Sequence, residues 1–313
     1  MLIAITGANG FIGKNLSNHL ISKGLEVRKI QRSPGKDIIN IDEINEHTDW
    51  KLALKGVDIV IHCASKLDNS SSNKTLSDNS YMEINFKGTK NLVSEAMNAG
   101  VKRFIFLSTV KVLGEFTKKG LPFKSNSKVN PQSQYALSKL HAENEVKSIC
   151  KENRMEYVIV RSTLVYGPGV RANFLNLIKI VKSRLPIPLL SIKNSRSILY
   201  LGNLLDFIEE CIENPLAKNK TFLLSDQKPV STPDLIKLIG KAFNVRTLLI
   251  YIPNIILKIL ATLTRTRKKM EKLQESLEID AGEAYKELNF KPSYTTLEGL
   301  NITAKSYNKK YLS

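Results

Sequence analysis

A doubly wound α/β fold is what this chain of 313 residues predicts: a parallel sheet covered by helices on both faces, with a smaller α/β unit towards the C-terminus. Three observations carry the prediction. Short apolar runs bounded by turn residues alternate with helix-period patterns as far as Tyr166, as repeated strand-helix units require. The first run passes straight into a turn rich in small residues and then into an amphipathic segment. Finally, 42% hydrophobic residues over this length can bury a sizeable core, in one large domain or two interleaved ones.

The opening segment "MLIAITGANGFIG" organises the rest. Leu2 to Ile5 suits a strand buried on both faces, and Gly7, Gly10 and Gly13 follow at intervals of three. Gly7 permits a tight exit from the strand, Gly10 a close backbone approach to a phosphate, and Gly13 close helix-to-strand packing. Apolar residues then recur at helical spacing from Phe11 to Leu20, ending at Gly24. The helix start therefore offers free N–H groups and a positive dipole end to a pyrophosphate. Gly7, Asn9, Gly10, Phe11, Ile12 and Gly13 are the candidate cradle.

A second strand, Leu25 to Ile30, ends at Gln31 and Arg32. An acid there would accept from the ribose hydroxyl of NAD, whereas an Arg can pair with the 2′-phosphate of NADP. With the acid absent and Arg32 present, NADP(H) is favoured, NAD(H) stays open, and Arg32 as a plain loop residue is the alternative. "INID" reads as a short strand ending in Asp42, a candidate contact near the adenine. "VDIVIHCAS", Val57 to Ser65, is a clear buried strand whose small end residues Ala64 and Ser65 let a cofactor pass close. His62 lies inside that pattern and reads as a satisfied core histidine. Residues 66–80 read as a polar loop over the site, and a helix from Tyr81 to Ala99 carries the small polar set Asn85, Gly88, Thr89 and Asn91. Strand Arg103 to Ser108 delivers Ser108 and Thr109 to the ligand-binding edge of the sheet.

In the helix that follows Pro131, Tyr135 and Lys139 stand four residues apart and share a face. A tyrosine with a pKa near ~10 is a poor base at neutral pH, but a nearby ammonium favours the phenolate. The same lysine can hold a nicotinamide ribose. Tyr135 can then exchange a hydroxyl proton while the nicotinamide exchanges the hydride.

The G-x-x-G-x-x-G form of "TGANGFIG" and the Thr109, Tyr135, Lys139 order resemble the extended short-chain dehydrogenase/reductase family, over residues 1 to about 210. That family, also described as the NAD-dependent epimerase/dehydratase family, includes nucleotide-sugar epimerases, dehydratases and ketoreductases. The resemblance implies a Rossmann-type fold. It casts Thr109 as the hydroxyl holding the substrate oxygen, Tyr135 as acid/base and Lys139 as its partner. It also implies a homodimer through the helices bearing Asn85 and Tyr135. In "STVKVLGE", Leu113 stands where many members have Tyr. With Lys111 and Glu115 this stretch looks like the branch of O-antigen and surface-polysaccharide biosynthesis that acts on UDP-linked amino sugars, and it makes Lys111 a candidate substrate contact.

On the substrate side, Arg161, Tyr166, Gly167 and Pro168 match the family's exit into the smaller domain, while Leu164 replaces the substrate-touching Asn of UDP-glucose-type epimerases. Asn173 and Phe174 open the next helix, whose N–H groups suit a phosphate or uracil oxygen. Arg196, in a segment that returns to the main sheet, resembles the family Arg that grips the pyrophosphate. Thr232 and Pro233 read as N-cap and first turn of a helix. The expected division is a dinucleotide-binding domain at 1–166, rejoined by 196–213, and an interleaved substrate-binding domain at 167–313.

Much of the net charge of +18 is Lys scattered over expected helix faces and reads first as a general composition bias; as a partner signal it fits an anionic small substrate or a membrane surface better than nucleic acid, since no basic run carries interleaved aromatics. Residues 248–263 are strongly apolar yet too short to span a bilayer. A core helix of the smaller domain is expected there. The basic residues just after it, Arg265 to Lys272, leave peripheral membrane contact open. Three scattered cysteines indicate neither disulfides nor a metal site, and a chain that enters a strand at once suggests a cytoplasmic protein. The expected function is NADP(H)-dependent reduction of a UDP-4-keto-6-deoxy-N-acetylhexosamine, with 4-epimerisation of a UDP-N-acetylhexosamine or UDP-glucose on bound NAD as the alternative. A non-catalytic dinucleotide-binding sensor is the reading from another class.

Overall fold

The computed structural model describes residues 1–35, 37–66, 79–263 and 267–311. Most of the polar loop expected over the site, and Arg265, lie outside the described residues. The first half runs β1 (Leu2–Thr6), α1 (Phe11–Ser22), β2 (Glu26–Gln31), β3 (Ile38–Asn40), α2 (Lys51–Leu54), β4 (Ile59–His62), α3 (Asn79–Tyr81), α4 (Gly88–Asn98), β5 (Arg103–Thr109), α5 (Gln134–Glu152) and β6 (Glu156–Ser162). There follow β7 (Leu164–Tyr166), α6 (Ala172–Lys182), β8 (Ile198–Tyr200), α7 (Leu201–Glu213), β9 (Lys220–Leu224), α8 (Thr232–Ala242), α9 (Asn254–Leu263), α10 (Arg267–Gln274), α11 (Gly282–Glu287) and α12 (Thr296–Tyr311). Helices α3 and α4 are joined by a π-helical stretch, Met82–Lys87, within the span where one continuous helix was expected.

Seven strands form a parallel sheet in the order β3-β2-β1-β4-β5-β6-β9. Successive side chains of each strand point to opposite faces. Ile3, Ile5, Ile105 and Leu107 therefore meet Leu16 and Leu20 of α1 and Phe207 and Ile208 of α7. Ala4, Phe104 and Phe106 meet Leu92 of α4 and Val146 of α5 on the other face. Both faces are buried, which is why these strands read as unbroken apolar runs. The order reverses between β1 and β4, and crevices for ligands open at such switch points.

The later part departs from expectation in four places. Strand β8 does not enter the large sheet; it pairs in parallel with β7 as a separate two-stranded sheet. The return to the first domain is made by α7, packed on the sheet face, and by β9, which pairs with β6. The N-cap of α8 is Ser231, whose Oγ accepts from the Asp234 N–H at 3.1 Å, with Thr232 already inside the helix. Most different is α9. Ile255, Ile256 and Ile259 are 68%, 45% and 56% exposed, and among its described side chains only Leu257 is buried. The core of the smaller unit is built instead from α6, α8 and α12, through Ile178, Ile236, Ile239 and Leu300. No helix among the described residues is long and apolar enough to cross a membrane.

Candidate active site

Residues 7–13 form a tight cradle at the end of β1. Gly7 has φ +68°, and a Cβ there would come within 2.8 Å of the Ala64 backbone. A Cβ at Gly13 would come within 2.3 Å of the Gly7 carbonyl oxygen, so helix α1 can meet the turn this closely only with glycine. The N-cap is Gly10, and no side chain caps the helix. The first amides, at Phe11, Ile12 and Gly13, are thus aimed at the switch-point crevice, an arrangement suited to a pyrophosphate.

The neighbouring strand ends supply the rest of the crevice. Asn9 Nδ2 lies 3.5 Å from Ser33 Oγ, tying the turn to the loop after β2. Arg32 and Asp42 are both exposed, beyond the ends of β2 and β3. The short strand stops at Asn40, two residues before Asp42. Ala64, at the close approach to Gly7, donates its N–H to Thr6 Oγ1 at 3.4 Å.

His62 is a core residue, as its pattern suggested. The Thr89 hydroxyl donates to the Asn85 carbonyl at 2.7 Å, so His62 Nε2 donates to Thr89 Oγ1 at 3.0 Å and Nδ1 accepts from Thr6 Oγ1 at 2.6 Å. Burial drives its pKa down to about 3 and keeps the ring neutral.

Thr109 closes β5, and its Oγ1 accepts from the Lys111 N–H at 3.3 Å. Helix α5 starts where Ser133 caps it by accepting from the Ala136 N–H at 3.3 Å. Tyr135, in the first turn, is half-buried, edge-on to Tyr81 at 6.3 Å between ring centroids. One turn further, Lys139 is buried, with Nζ 4.2 Å from the ring centroid of Phe106 on β5. Burial lowers its pKa to about 7, against a smaller upward pull from Glu143. An ammonium this close to losing its proton responds strongly to any anion placed beside it.

Asn85 does more than its place in a small polar set indicated. Its Oδ1 accepts from the Lys66 N–H at 2.7 Å and from Ser65 Oγ at 3.1 Å, while Nδ2 donates to the Lys66 carbonyl at 3.0 Å and to Ser138 Oγ at 3.2 Å. It thereby holds the backbone beyond β4 against α5, between Tyr135 and Lys139. The π-helical stretch carries it, and such insertions recur at functional sites. Its place in the small polar set with Gly88, Thr89 and Asn91 was the signal in the sequence.

The substrate-side candidates are spread more widely. Lys111 Nζ lies 3.0 Å from a carboxylate oxygen of Glu115. Asn173 is exposed, but Phe174 is buried and stacks on Tyr166 at 5.1 Å, which makes it part of the smaller unit's core. Arg196 is half-buried, and its Nη1 donates to the carbonyls of Lys272 and Glu275, both at 3.0 Å.

The model of the NAD dependent epimerase/dehydratase family matches residues 3–224. A UDP-glucose 4-epimerase of Vibrio cholerae is 36% identical over 311 residues, covering 97% of this chain and 95% of its own. An N-acetyl-alpha-D-glucosaminyl-diphospho-ditrans,octacis-undecaprenol 4-epimerase of Escherichia coli O157:H7 is 26% identical, covering 80% of this chain and 75% of its own. Among solved structures, the UDP-glucose 4-epimerase of Thermotoga maritima with UDP-glucose superposes with a TM-score of 0.80 over 99% of both chains at 21% identity. The UDP-glucuronic acid 4-epimerase of Bacillus cereus in complex with NAD does so at 0.77 over 99% of this chain and all of its own, at 19% identity. The chain belongs to the NAD dependent epimerase/dehydratase family and is an enzyme of the nucleotide-sugar short-chain dehydrogenase/reductase type.

Proposed function

We propose that this enzyme inverts carbon 4 of a UDP-linked hexose or N-acetylhexosamine, using a nicotinamide dinucleotide retained in the crevice above β1 and β4. The observation that carries the reading is the 36% identity, over 97% of the chain, to a protein described as a UDP-glucose 4-epimerase. The cradle at Gly7 to Gly13 fits the dinucleotide's pyrophosphate, because no side chain caps α1 and a Cβ at either end of the turn would clash. When bound, the dinucleotide supplies hydride acceptance and return.

The chain's own residues handle binding and protons. Thr109 hydrogen-bonds the sugar oxygen, Tyr135 takes the carbon-4 hydroxyl proton and later gives it back, and Lys139 as an ammonium favours the phenolate. Lys111, Asn173 and Arg196 are proposed for the nucleotide and sugar. A specific observation keeps reduction of a UDP-4-keto-6-deoxy-N-acetylhexosamine by NADPH as a second reading. Arg32 stands exposed beyond β2 with Gln31, not an acid, before it, and Leu164 lies where the family resemblance implies an Asn in UDP-glucose-type epimerases.

Purified protein is given UDP-glucose or UDP-N-acetylglucosamine with NAD, and separately the 4-keto-6-deoxy sugar with NADPH. Interconversion of gluco and galacto forms without net loss of cofactor is the expected result. NADPH consumption in the second mixture alone would establish the reductase instead. Tyr135→Phe keeps the ring and removes the proton carrier, so turnover should fall by about 10²-fold or more. Turnover that survived the change would sink the assignment of Tyr135.

A further inference from the structure

The exposed face of α9 continues an apolar edge. The segment before it runs beside residues 187–190, with Ile187 N–H donating to the Leu248 carbonyl at 2.8 Å and Leu190 N–H to the Ile250 carbonyl at 3.2 Å. Leu190, Leu248, Ile250 and Tyr251 are exposed along it, followed by Ile255, Ile256 and Ile259. Single exposed leucines are ordinary, but a cluster of this kind marks an interaction surface.

Charge indicates the partner. Residues 241–274 contain eight Lys and Arg against one Glu, a net +7 of the chain's +18. Apolar and charged groups share one surface: the groove of about 570 Å³ between α9 and α10 is lined by Ile255 and Ile259 on one side and by Arg267, Glu271 and Glu275 on the other, with Arg267 Nε donating to Glu271 at 2.9 Å, and Lys272 is exposed on the same helix α10. A second copy docking here face to face would set two +7 segments against each other, and like charges across an interface are costly.

We infer that this face rests on an anionic lipid bilayer. The isoleucines of α9 enter the boundary between headgroups and acyl chains, and the flanking cations meet lipid phosphates. The docked face adjoins the substrate side, since Arg196 donates to backbone carbonyls at the end of α10 and just after it. Docking of this face is independent of which carbon-4 reaction the enzyme performs.

The full-length protein is sedimented with phosphatidylcholine vesicles, with and without phosphatidylglycerol. Binding should require phosphatidylglycerol and weaken as salt is added. Ile255→Asn with Ile259→Asn should weaken it at least about tenfold while the melting temperature stays unchanged, because these side chains already face water. Arg267→Glu with Lys272→Glu tests the charge separately and should also weaken binding. Failure of the wild type to sediment, equal binding to both vesicle types, or equal binding by the isoleucine variant would overturn the inference. Light scattering that showed a dimer dissociating in the isoleucine variant would overturn it too, and would give the face to a second copy.

Discussion

Glu143 and Asp226 are both buried carboxylates, one on the helix that carries Tyr135 and the other where β9 leaves the large sheet, and they are satisfied in different ways. Glu143 faces a full charge: the Arg161 guanidinium reaches it through Nη2 at 2.6 Å and Nε at 3.0 Å, and Ser108 Oγ donates at 2.5 Å. Asp226 has neutral donors, namely the Tyr200 N–H and Asn203 Nδ2, both at 2.9 Å, the Tyr166 hydroxyl at 3.0 Å and Thr296 Oγ1 at 3.3 Å. Burial pushes the Asp226 carboxyl above its ordinary range, and these hydrogen bonds offset only part of the rise. The half built on the large sheet thus locks α5 to β6 by charge against charge. The junction with the smaller unit relies on a carboxyl that gives up its proton reluctantly.

The largest effect should follow from breaking the first arrangement. Glu143→Leu leaves the Arg161 charge buried and unpaired, which costs about 3–5 kcal/mol of stability. Chemical denaturation checks this, and Arg161→Met should cost a similar amount. The double variant E143L/R161M should recover most of the loss, because a well-packed apolar pair often replaces a buried ion pair without penalty. If the double variant were no more stable than the single ones, the pair would be acting through something other than mutual charge.

Asp226→Asn should cost less, about 1–3 kcal/mol, since the new amide cannot accept from all four donors. Its pH dependence distinguishes it from the first pair. A carboxyl whose folded-state pKa is raised contributes stability that is fully present below its unfolded value of about 3.9 and is lost as pH rises through the folded value. Wild-type stability should therefore carry a component that declines as pH rises above about 4, and Asp226→Asn should remove it. Parallel stability-pH curves for the two proteins would show that Asp226 is not the source.

The two regions also differed in how far they could be read in advance. Strands β1, β4, β5 and β6 are buried almost throughout, so their apolar runs, and the glycine cradle at the end of the first, follow from local composition, whereas β2 and β3 towards the sheet edge are only partly covered. Tyr135 and Lys139 were picked out by helical spacing together with their place after the glycine turn and Thr109, the order that carries the family resemblance. Strands β7 and β8 are three residues each, too short to show a period, and their pairing with each other rather than with the large sheet is a choice between distant partners. Hydrophobicity marked α9 clearly, but hydrophobicity does not say which side of a helix is covered, and the structure leaves it exposed. Asn85 stood out as part of a small polar set, yet its four hydrogen bonds depend on the loop beyond β4 and on α5, which no local pattern links to it.

Lys139 provides the finest test of the contrast, because it lies one turn before Glu143 and is buried without a hydrogen-bonded carboxylate of its own among the contacts described. Burial lowers its pKa to about 7, so the neutral amine is the form expected to prevail at pH 8 before any ligand binds. A lysine with a depressed pKa disfavours the folded state as pH falls through that value, and the neutral amine cannot assist Tyr135. A bound dinucleotide brings anionic phosphates and ribose hydroxyls into the crevice, which should return Lys139 towards its ordinary range. Binding at pH 8 should then take up most of a proton from the buffer. Calorimetric titration with NAD in two buffers of different ionisation enthalpy measures that uptake directly. Lys139→Met should abolish it, with dinucleotide affinity reduced. A buffer-independent enthalpy in the wild type would mean that Lys139 keeps one protonation state throughout, and that its ammonium does not form in response to the cofactor.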